Sequence, residues 1–254
     1  MNNTFRQVRI PNGPSAIHII LVILGMVGTT VPLQIFARQI ANQSSLHLIL
    51  LSSLAGIISA FLIATVVEWT VHRYAMHKGK RIPIFRIATE LHHKAHHWVH
   101  YTPNHYVNPE PINRPSVLAS NKAELCQSKF VILLTTLSHA TFYTVLTIPI
   151  LILAWLVTVN IWFTLSMVSM AGIFIYLFIR VHDAVHHPGL SWLERFNWFW
   201  FLDHHHYIHH IDNNANTNFL LPLTDLLMGT LRLELTNEEK AMWPSYSDAR
   251  KIPD

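Results

Sequence analysis

Long apolar stretches alternate along this chain with polar segments that are rich in histidine. Four of the apolar stretches reach the ~20 residues that a helix needs to cross a bilayer, and they cover residues 16–36, 47–67, 130–157 and 161–181. The last two are separated only by a short link around Asn160, which is typical of a helical hairpin. The pattern predicts that the whole chain, 1–254, is one all-α integral membrane domain with four transmembrane helices in two hairpins.

The polar remainder, residues 68–129 and 182–254, predicts a helical cap on one face of the membrane. Lysine and arginine concentrate on this side, whereas the opposite side offers Arg38 and little else. The positive-inside rule therefore places the cap and both termini in the cytoplasm, and a bacterial inner membrane or an endoplasmic reticulum fits equally. A cleaved signal peptide is the alternative for the first stretch, but its apolar run is long and no clear cleavage site follows.

Composition and charge support a membrane protein. Charged residues make up 13% of the chain, about half of the ~25% that is usual in soluble domains. The single Cys126 excludes an intramolecular disulfide and a cysteine-rich metal site, so any metal must take nitrogen and oxygen ligands. The basic residues flank apolar segments, which favours anionic headgroups over nucleic acid as their neighbours; examples are Arg73, Lys78, Lys80, Arg81 and Arg86.

Nineteen histidines are the outlier in the composition. His18, His47 and His139 stand alone in or beside predicted spans, where a neighbouring helix commonly satisfies a polar group. The others fall in the predicted cap and form four clusters. These are spaced HxxxxH at His72 and His77, HxxHH at His93, His96 and His97, HxxxHH at His182, His186 and His187, and HxxHH at His206, His209 and His210.

The spacings have a geometric meaning. Residues i, i+3 and i+4 share one face of an α-helix, so HxxHH directs three imidazoles into one volume, while the last histidine of HxxxHH is rotated away. Five residues turn an α-helix about 140° from the starting direction, so His72 and His77 converge only where the helix ends, bulges or bends.

Neutral imidazole binds iron, zinc and copper. So many convergent imidazoles predict a site for two metal ions; a single ion, or a metal-free face that senses pH, remain the alternatives. The predicted ligands are His72, His77, His93, His96, His97, His182, His186, His206, His209 and His210.

The four clusters, followed by Asn218-Phe219, Thr224-Asp225 and Gly229-Thr230, resemble the histidine boxes and tail of the membrane-bound fatty acid hydroxylase/sterol desaturase superfamily. These are non-haem diiron enzymes, and the resemblance covers about residues 66–232. Thr224 departs from the aromatic residue usual there, and five histidines exceed the pattern: His92, His100, His105, His204 and His205. The register of the last box stays open, because His205 with His209 and His210 would also give HxxxHH.

The resemblance implies two iron ions as cofactor, O₂ as co-substrate and hydroxylation of an unactivated C–H bond in a fatty-acyl, sterol or related lipid. Desaturation and carotenoid or sterol oxidation are alternatives within the superfamily. Since no redox domain fits in the chain, a separate electron donor of cytochrome b5, ferredoxin or reductase type is expected. The rivals from other classes are a metal transporter or sensor and a metal-dependent hydrolase; a transporter should carry more ionisable residues within its spans.

No catalytic residue is expected beyond the metal centre, but neighbouring groups should orient the ligands. Candidates for this role, or for additional ligands, are His187, His205, Asp183, Asp203, Asp225 and Glu90. The aromatic segment 191–201 is too short to span and predicts an interfacial helix, with a buried core helix as the alternative. A lipid substrate would enter beside Trp198, Phe199, Trp200 and Phe201.

Overall fold

A computed structural model describes residues 14–92, 144–145, 147–186 and 192–242. These residues are mostly helical, and none of them lies in a β-strand, so the all-α prediction is confirmed over this part of the chain. Two compact units are present. We call residues 17–67 and 125–182 the apolar unit, and residues 1–16, 68–124 and 183–254 the histidine unit.

Nine α-helices are described, together with one π-helix, Val71–His77, and two 3-10 turns, Gly79–Arg81 and Trp192–Arg195. The α-helices are α1 Ala16–Gly28, α2 Thr30–Gln39, α3 Leu46–Thr70, α4 Pro83–Leu91, α5 Thr147–Thr158, α6 Ile161–His186, α7 Asn197–Ile211, α8 Leu223–Met228 and α9 Asn237–Met242.

Three helical segments of the described residues are long and apolar enough to cross a membrane: Ala16–Gln39, Leu46–His77 and Ile161–His182. The first is α1 followed by α2, with a break at Thr29. Of the predicted span 130–157, residues 130–143 and 146 lie outside the described residues, and α5 covers the last part of this stretch. The described residues thus contain three candidate spans, and the fourth stays a prediction.

The link between α5 and α6 consists of only Val159 and Asn160. The Asn160 side-chain oxygen accepts hydrogen bonds from the backbone N–H groups of Trp162 and Phe163, each at 3.1 Å, which caps the start of α6. Its amide donates to the Ala37 carbonyl at 2.7 Å. Both polar atoms of this side chain therefore have partners, which allows an asparagine only 2% exposed among apolar helices.

Small side chains allow the helices of the apolar unit to approach closely. Its core packs four alanines against Phe163 and Met167. Gly56 on α3 lies directly against the backbone carbonyl of Phe163 on α6, where a Cβ atom would overlap that carbonyl. Because backbone cannot move aside as a flexible side chain can, glycine is required at this crossing.

We expect Gly56→Ala to destabilise the protein by ~1–3 kcal/mol, because the added methyl group forces α3 and α6 apart. The measurement is thermal unfolding in detergent. Gly172→Ala is the matched control, since a Cβ there meets nothing within 4 Å and helix propensity favours alanine. Equal melting temperatures for the two variants would show that the crossing tolerates a larger residue.

In the histidine unit, a buried ion-pair network holds the C-terminal segment in place. Arg232 donates to Asp212 at 2.9 Å and to Glu239 at 2.6 Å. Burial alone would raise the pKa of Glu239, but the hydrogen bonds from Arg232 and Thr236 lower it below its ordinary value. Thr236 and Glu239 also form a capping box at the start of α9. The chain from 212 to 239 is thus closed into a loop that begins directly after α7.

Candidate metal centre

The first histidine box lies on a π-helix. Helix α3 continues into Val71–His77, where hydrogen bonds join residues five apart, as from the Lys78 N–H to the Arg73 carbonyl at 3.2 Å. Residues five apart then point in directions much closer together than the ~140° that separates them on an α-helix. The rings of His72 and His77 are stacked, with centroids 5.1 Å apart and planes inclined by 22°. The π winding is therefore what lets the HxxxxH spacing converge.

A tight turn brings a third histidine to this pair. A Cβ at Gly79 would lie 2.6 Å from Phe85 Cβ and 2.8 Å from Thr89 Oγ1, so only glycine permits α4 to fold back so closely. Thr89 then donates to the Ala75 carbonyl at 2.7 Å. His92 follows α4 directly, and its Nε2 lies 3.2 Å from the Nε2 atoms of both His72 and His77.

Helix α7 supplies the fourth imidazole. The Nε2 atom of His209 lies 3.0 Å from that of His77, and one nitrogen from each of His72, His77, His92 and His209 lies within 4.8 Å of the other three. We call these four residues the histidine cluster. Tetrahedral coordination with metal–nitrogen bonds of ~2.0–2.1 Å places its nitrogens ~3.3–3.4 Å apart. The donor set therefore fits a metal ion.

Two rings of the cluster are held in a defined tautomer. His72 Nδ1 lies 2.7 Å from the Thr217 carbonyl oxygen, and His209 Nδ1 lies 2.7 Å from that of Ala215. A carbonyl can only accept, so each Nδ1 carries the proton and donates it. The Nε2 lone pairs consequently face the centre of the cluster, as metal binding requires.

The segment that presents these carbonyls is itself fixed by Asp225. Its carboxylate accepts hydrogen bonds from the Asn218 backbone N–H at 2.6 Å, from Thr230 Oγ1 at 2.6 Å, and from Trp69 Nε1 and Thr217 Oγ1 at 3.1 and 3.2 Å. Asp225 was predicted to orient the imidazoles. In the structure it contacts the backbone that bonds to them, and it holds that backbone from α8.

Glu68 secures the same segment from the other side. It is 3% exposed, and its carboxylate accepts from the Phe219 N–H at 2.6 Å and from the Asn218 amide at 3.2 Å. Asn216 adopts a positive φ of 54°, and its amide donates to the carbonyls of His205 and Arg232. Residues 215–219 therefore form a rigid carbonyl platform beside the cluster, and we use that name below.

Arg73 differs from its expectation. Although it was grouped with cations facing headgroups, it is 2% exposed. Its guanidinium donates to the Asn214 carbonyl at 2.9 Å and lies 5.2 Å from the centre of the Trp69 ring. Arg73 thus joins the π-helix to the segment that follows α7.

The histidines of the last box make two different sets of contacts. His209 belongs to the cluster, whereas His206 Nε2 lies 3.0 Å from His210 Nε2, and the His206 ring packs against Phe219 at 4.9 Å. His205 Nε2 donates to the Asn218 carbonyl at 2.6 Å. Burial lowers the pKa of His205, against that hydrogen bond and the charge of Asp225. His205 supports the platform, whereas His206 and His210 lie together beside it, and the register of the last box as a metal-binding motif stays a prediction.

The remaining predicted residues are only partly visible. His182 lies in the apolar unit, where its ring stacks on Phe178 at 5.6 Å. Asp203 is buried on α7. The other predictions fall outside the described residues (His93, His96, His97 and His187) or have side chains outside them (His186, Asp183 and Glu90).

The aromatic residues predicted to admit a lipid lie on different faces of α7. Trp198 and Phe201 are 44% and 43% exposed, whereas Phe199 is completely buried. Trp200 donates from Nε1 to the Glu194 carbonyl at 2.7 Å. Only one side of this helix turn is therefore open to a lipid, since consecutive residues point in different directions.

The sequence reasoning did not include His92 among the candidate ligands. It had been set aside as one of the histidines that the box pattern does not require. The signal was its spacing, because His92 with His96 and His97 reads HxxxHH, the same spacing as the box at His182.

Comparison of the chain with protein-family models, with curated proteins and with solved structures finds no match in any of the three. The functional argument therefore depends on the geometry of the cluster.

We expect His92→Ala to weaken Co²⁺ binding by more than the ~10- to 100-fold that loss of an outer-shell partner costs, because one of four nitrogen donors is removed. Affinity is measured by competition with a chromophoric chelator in detergent. His204→Gln is the control, since His204 lies on α7 with Nε2 on the Leu233 carbonyl. Unchanged affinity in His92→Ala would remove His92 from the site.

We expect Asp225→Asn to weaken Co²⁺ binding by ~10- to 100-fold while every imidazole remains, because an amide cannot accept from all four donors and the platform loses its position. The same competition assay measures this, and circular dichroism reports whether the helices persist. Wild-type affinity in a folded Asp225→Asn protein would show that the platform does not orient the ligands.

Proposed function

We propose that this protein is a membrane-bound, O₂-dependent diiron lipid oxidoreductase of the fatty acid hydroxylase/sterol desaturase type, which hydroxylates a fatty-acyl, sterol or related lipid. The observation that carries the proposal is the histidine cluster. Four imidazoles from three separate elements of one unit, the π-helix, the end of α4 and α7, converge within 4.8 Å, and two of them have their lone pairs aimed inward by backbone carbonyls. A purely pH-sensing face has no need of this arrangement.

The second iron would be held by His206 and His210 together with the predicted ligands His93, His96, His97, His182 and His186. Four transmembrane helices in two hairpins, with both termini and the metal centre on the cytoplasmic side, complete the proposal. The three apolar segments long enough to cross a membrane support it, and so does the excess of lysine and arginine in the polar segments.

When bound, the iron centre would supply the oxidising power for attack on an unactivated C–H bond. The residues of the chain would hold the metal ions and orient the imidazoles that bind them. His72 and His209 keep their protons on Nδ1, where the platform accepts them, and so offer Nε2 throughout. His92 and His209 lie 15 and 132 residues from His77 in the chain, so the cluster forms only when the π-helix, α4 and α7 are packed together. Trp198 and Phe201 give the lipid an apolar approach outside the buried face of α7.

The test combines metal content with the origin of the product oxygen. Untagged full-length protein from iron-supplemented cells is purified in detergent beside a His206→Ala/His209→Ala variant, and metals are counted by mass spectrometry. We expect two iron ions per wild-type chain and loss of iron in the variant. With a reductant, lipid extract and isotopically labelled O₂, the wild type should form an alcohol that carries the label.

Other outcomes point elsewhere. An unlabelled oxygen newly added to the product, taken from water, would indicate a hydrolase, and a new double bond without label would indicate a desaturase. A folded wild type that binds no metal would overturn the oxygenase proposal and favour a sensor. Zinc taken up from iron-supplemented cells, without lipid oxidation, would favour metal transport or sensing.

A further inference from the structure

One short stretch of the histidine unit carries only positive charge. Residues 69–89 contain Arg73, Lys78, Lys80, Arg81 and Arg86 but no aspartate or glutamate. Arg73 is buried, and the side chain of Lys80 lies outside the described ones, but Lys78, Arg81 and Arg86 are exposed. Over the residues that the structure covers, none of these three cations takes part in an ion pair.

Apolar side chains are exposed among these cations. Ile82 and Phe85 are 49% and 37% exposed, and Lys78 Nζ lies 5.9 Å from the centre of the Tyr74 ring, itself 36% exposed. We call Lys78, Arg81, Ile82, Phe85 and Arg86 the basic tip. Gly79 and Thr89 pack this turn tightly against the π-helix, so the tip is a fixed surface. Arginine and aromatic residues are the types enriched in protein interfaces.

The position of the tip argues against membrane headgroups as its partner. The helix Leu46–His77 has 32 residues and is about 48 Å long, against a hydrocarbon core of ~30 Å. The crossing begins near Leu46, because residues 42–45 are polar. His77 therefore lies about 18 Å beyond the core, and a tilt of ~20° shortens this by only about 3 Å. The headgroup layer occupies ~5–7 Å of this distance, which leaves about 8–10 Å between the headgroups and His77, or about one screening length of ~8 Å at physiological salt.

The tip is also next to the histidine cluster in the chain. Lys78 follows His77 directly, so their Cα atoms are about 3.8 Å apart, and α4 leads from Arg86 to His92. A protein bound at the tip would touch the two elements that present these imidazoles. An enzyme of the proposed type consumes electrons, and these would have to come from a separate donor protein.

We propose that the basic tip is the docking surface for an acidic one-electron donor protein. This inference rests on the proposed function, because only an oxidoreductase needs an electron donor. The binding itself depends only on charge and on exposed apolar area. Complementary charge would steer the donor to the tip and give binding that weakens with salt. Ile82 and Phe85 would supply the part of the affinity that salt does not change.

The experiment measures binding of two probes, an acidic [2Fe–2S] ferredoxin and the acidic soluble domain of a cytochrome b5, to full-length protein in phosphatidylcholine nanodiscs. We expect Arg81→Gln/Arg86→Gln to weaken binding of at least one probe by about two- to fivefold for each cation removed, and to flatten its salt dependence. Ile82→Ser/Phe85→Ser should weaken binding with the salt dependence intact.

The control is Arg180→Gln/Arg195→Gln, which makes the same change of net charge at two exposed arginines outside the tip. It should leave binding near the wild-type value. Equal weakening by both pairs, or salt-dependent binding by neither probe, would overturn the proposal. Preferential crosslinking of photoreactive phosphatidylglycerol over phosphatidylcholine to residues 78–86 would assign the tip to the membrane and overturn it too.

The binding assay is run on zinc-loaded protein, so it requires neither iron nor turnover. Salt-dependent binding at the tip without lipid oxidation would count against the proposed chemistry and not against the docking surface. Lipid oxidation that dithionite supports equally in wild type and Arg81→Gln/Arg86→Gln, with probe binding unaffected in the variant, would retain the chemistry and reject the tip.

Discussion

The histidine unit depends on one constraint. A buried neutral imidazole that binds a metal through one nitrogen carries a proton on the other, and that N–H needs a hydrogen-bond acceptor. His72 and His209 meet this requirement with backbone carbonyls of the platform. A backbone acceptor carries no ionisable proton, so the group that fixes the tautomer does not itself titrate. The cost is that the backbone must be held, and Asp225 and Glu68 hold it with hydrogen bonds to residues 217–219.

Much of the architecture follows from composition and periodicity. Helical structure, apolar segments long enough to cross a membrane and the short link at Asn160 are readable because each depends on local sequence. The break at Thr29 is less readable, since nothing in the apolar run marks it. The burial of Arg73 could not be predicted from the sequence, because the Asn214 carbonyl that accepts its hydrogen bond is distant in the chain.

The site was predictable in residue type and only partly in detail. His72, His77 and His209 were expected to bind a metal, and the structure brings them together. Their convergence depends on a π-helix, whose i to i+5 bonds have no established sequence signature. His92 joins them through the Gly79 turn, a tertiary contact that spacing alone cannot show. In the same way, Asp225 was chosen from its place in the tail, but its role through backbone groups is visible only in three dimensions.

The π-helix also governs everything that follows it. An α-helix advances 100° per residue, whereas a π turn accommodates one residue more. If residues 71–77 adopted ordinary winding, His77 would rotate away from His72, and Lys78, the Gly79 turn and α4 would leave in another direction. The winding of these seven residues therefore determines both the distance between the two imidazoles and the direction in which the basic tip faces.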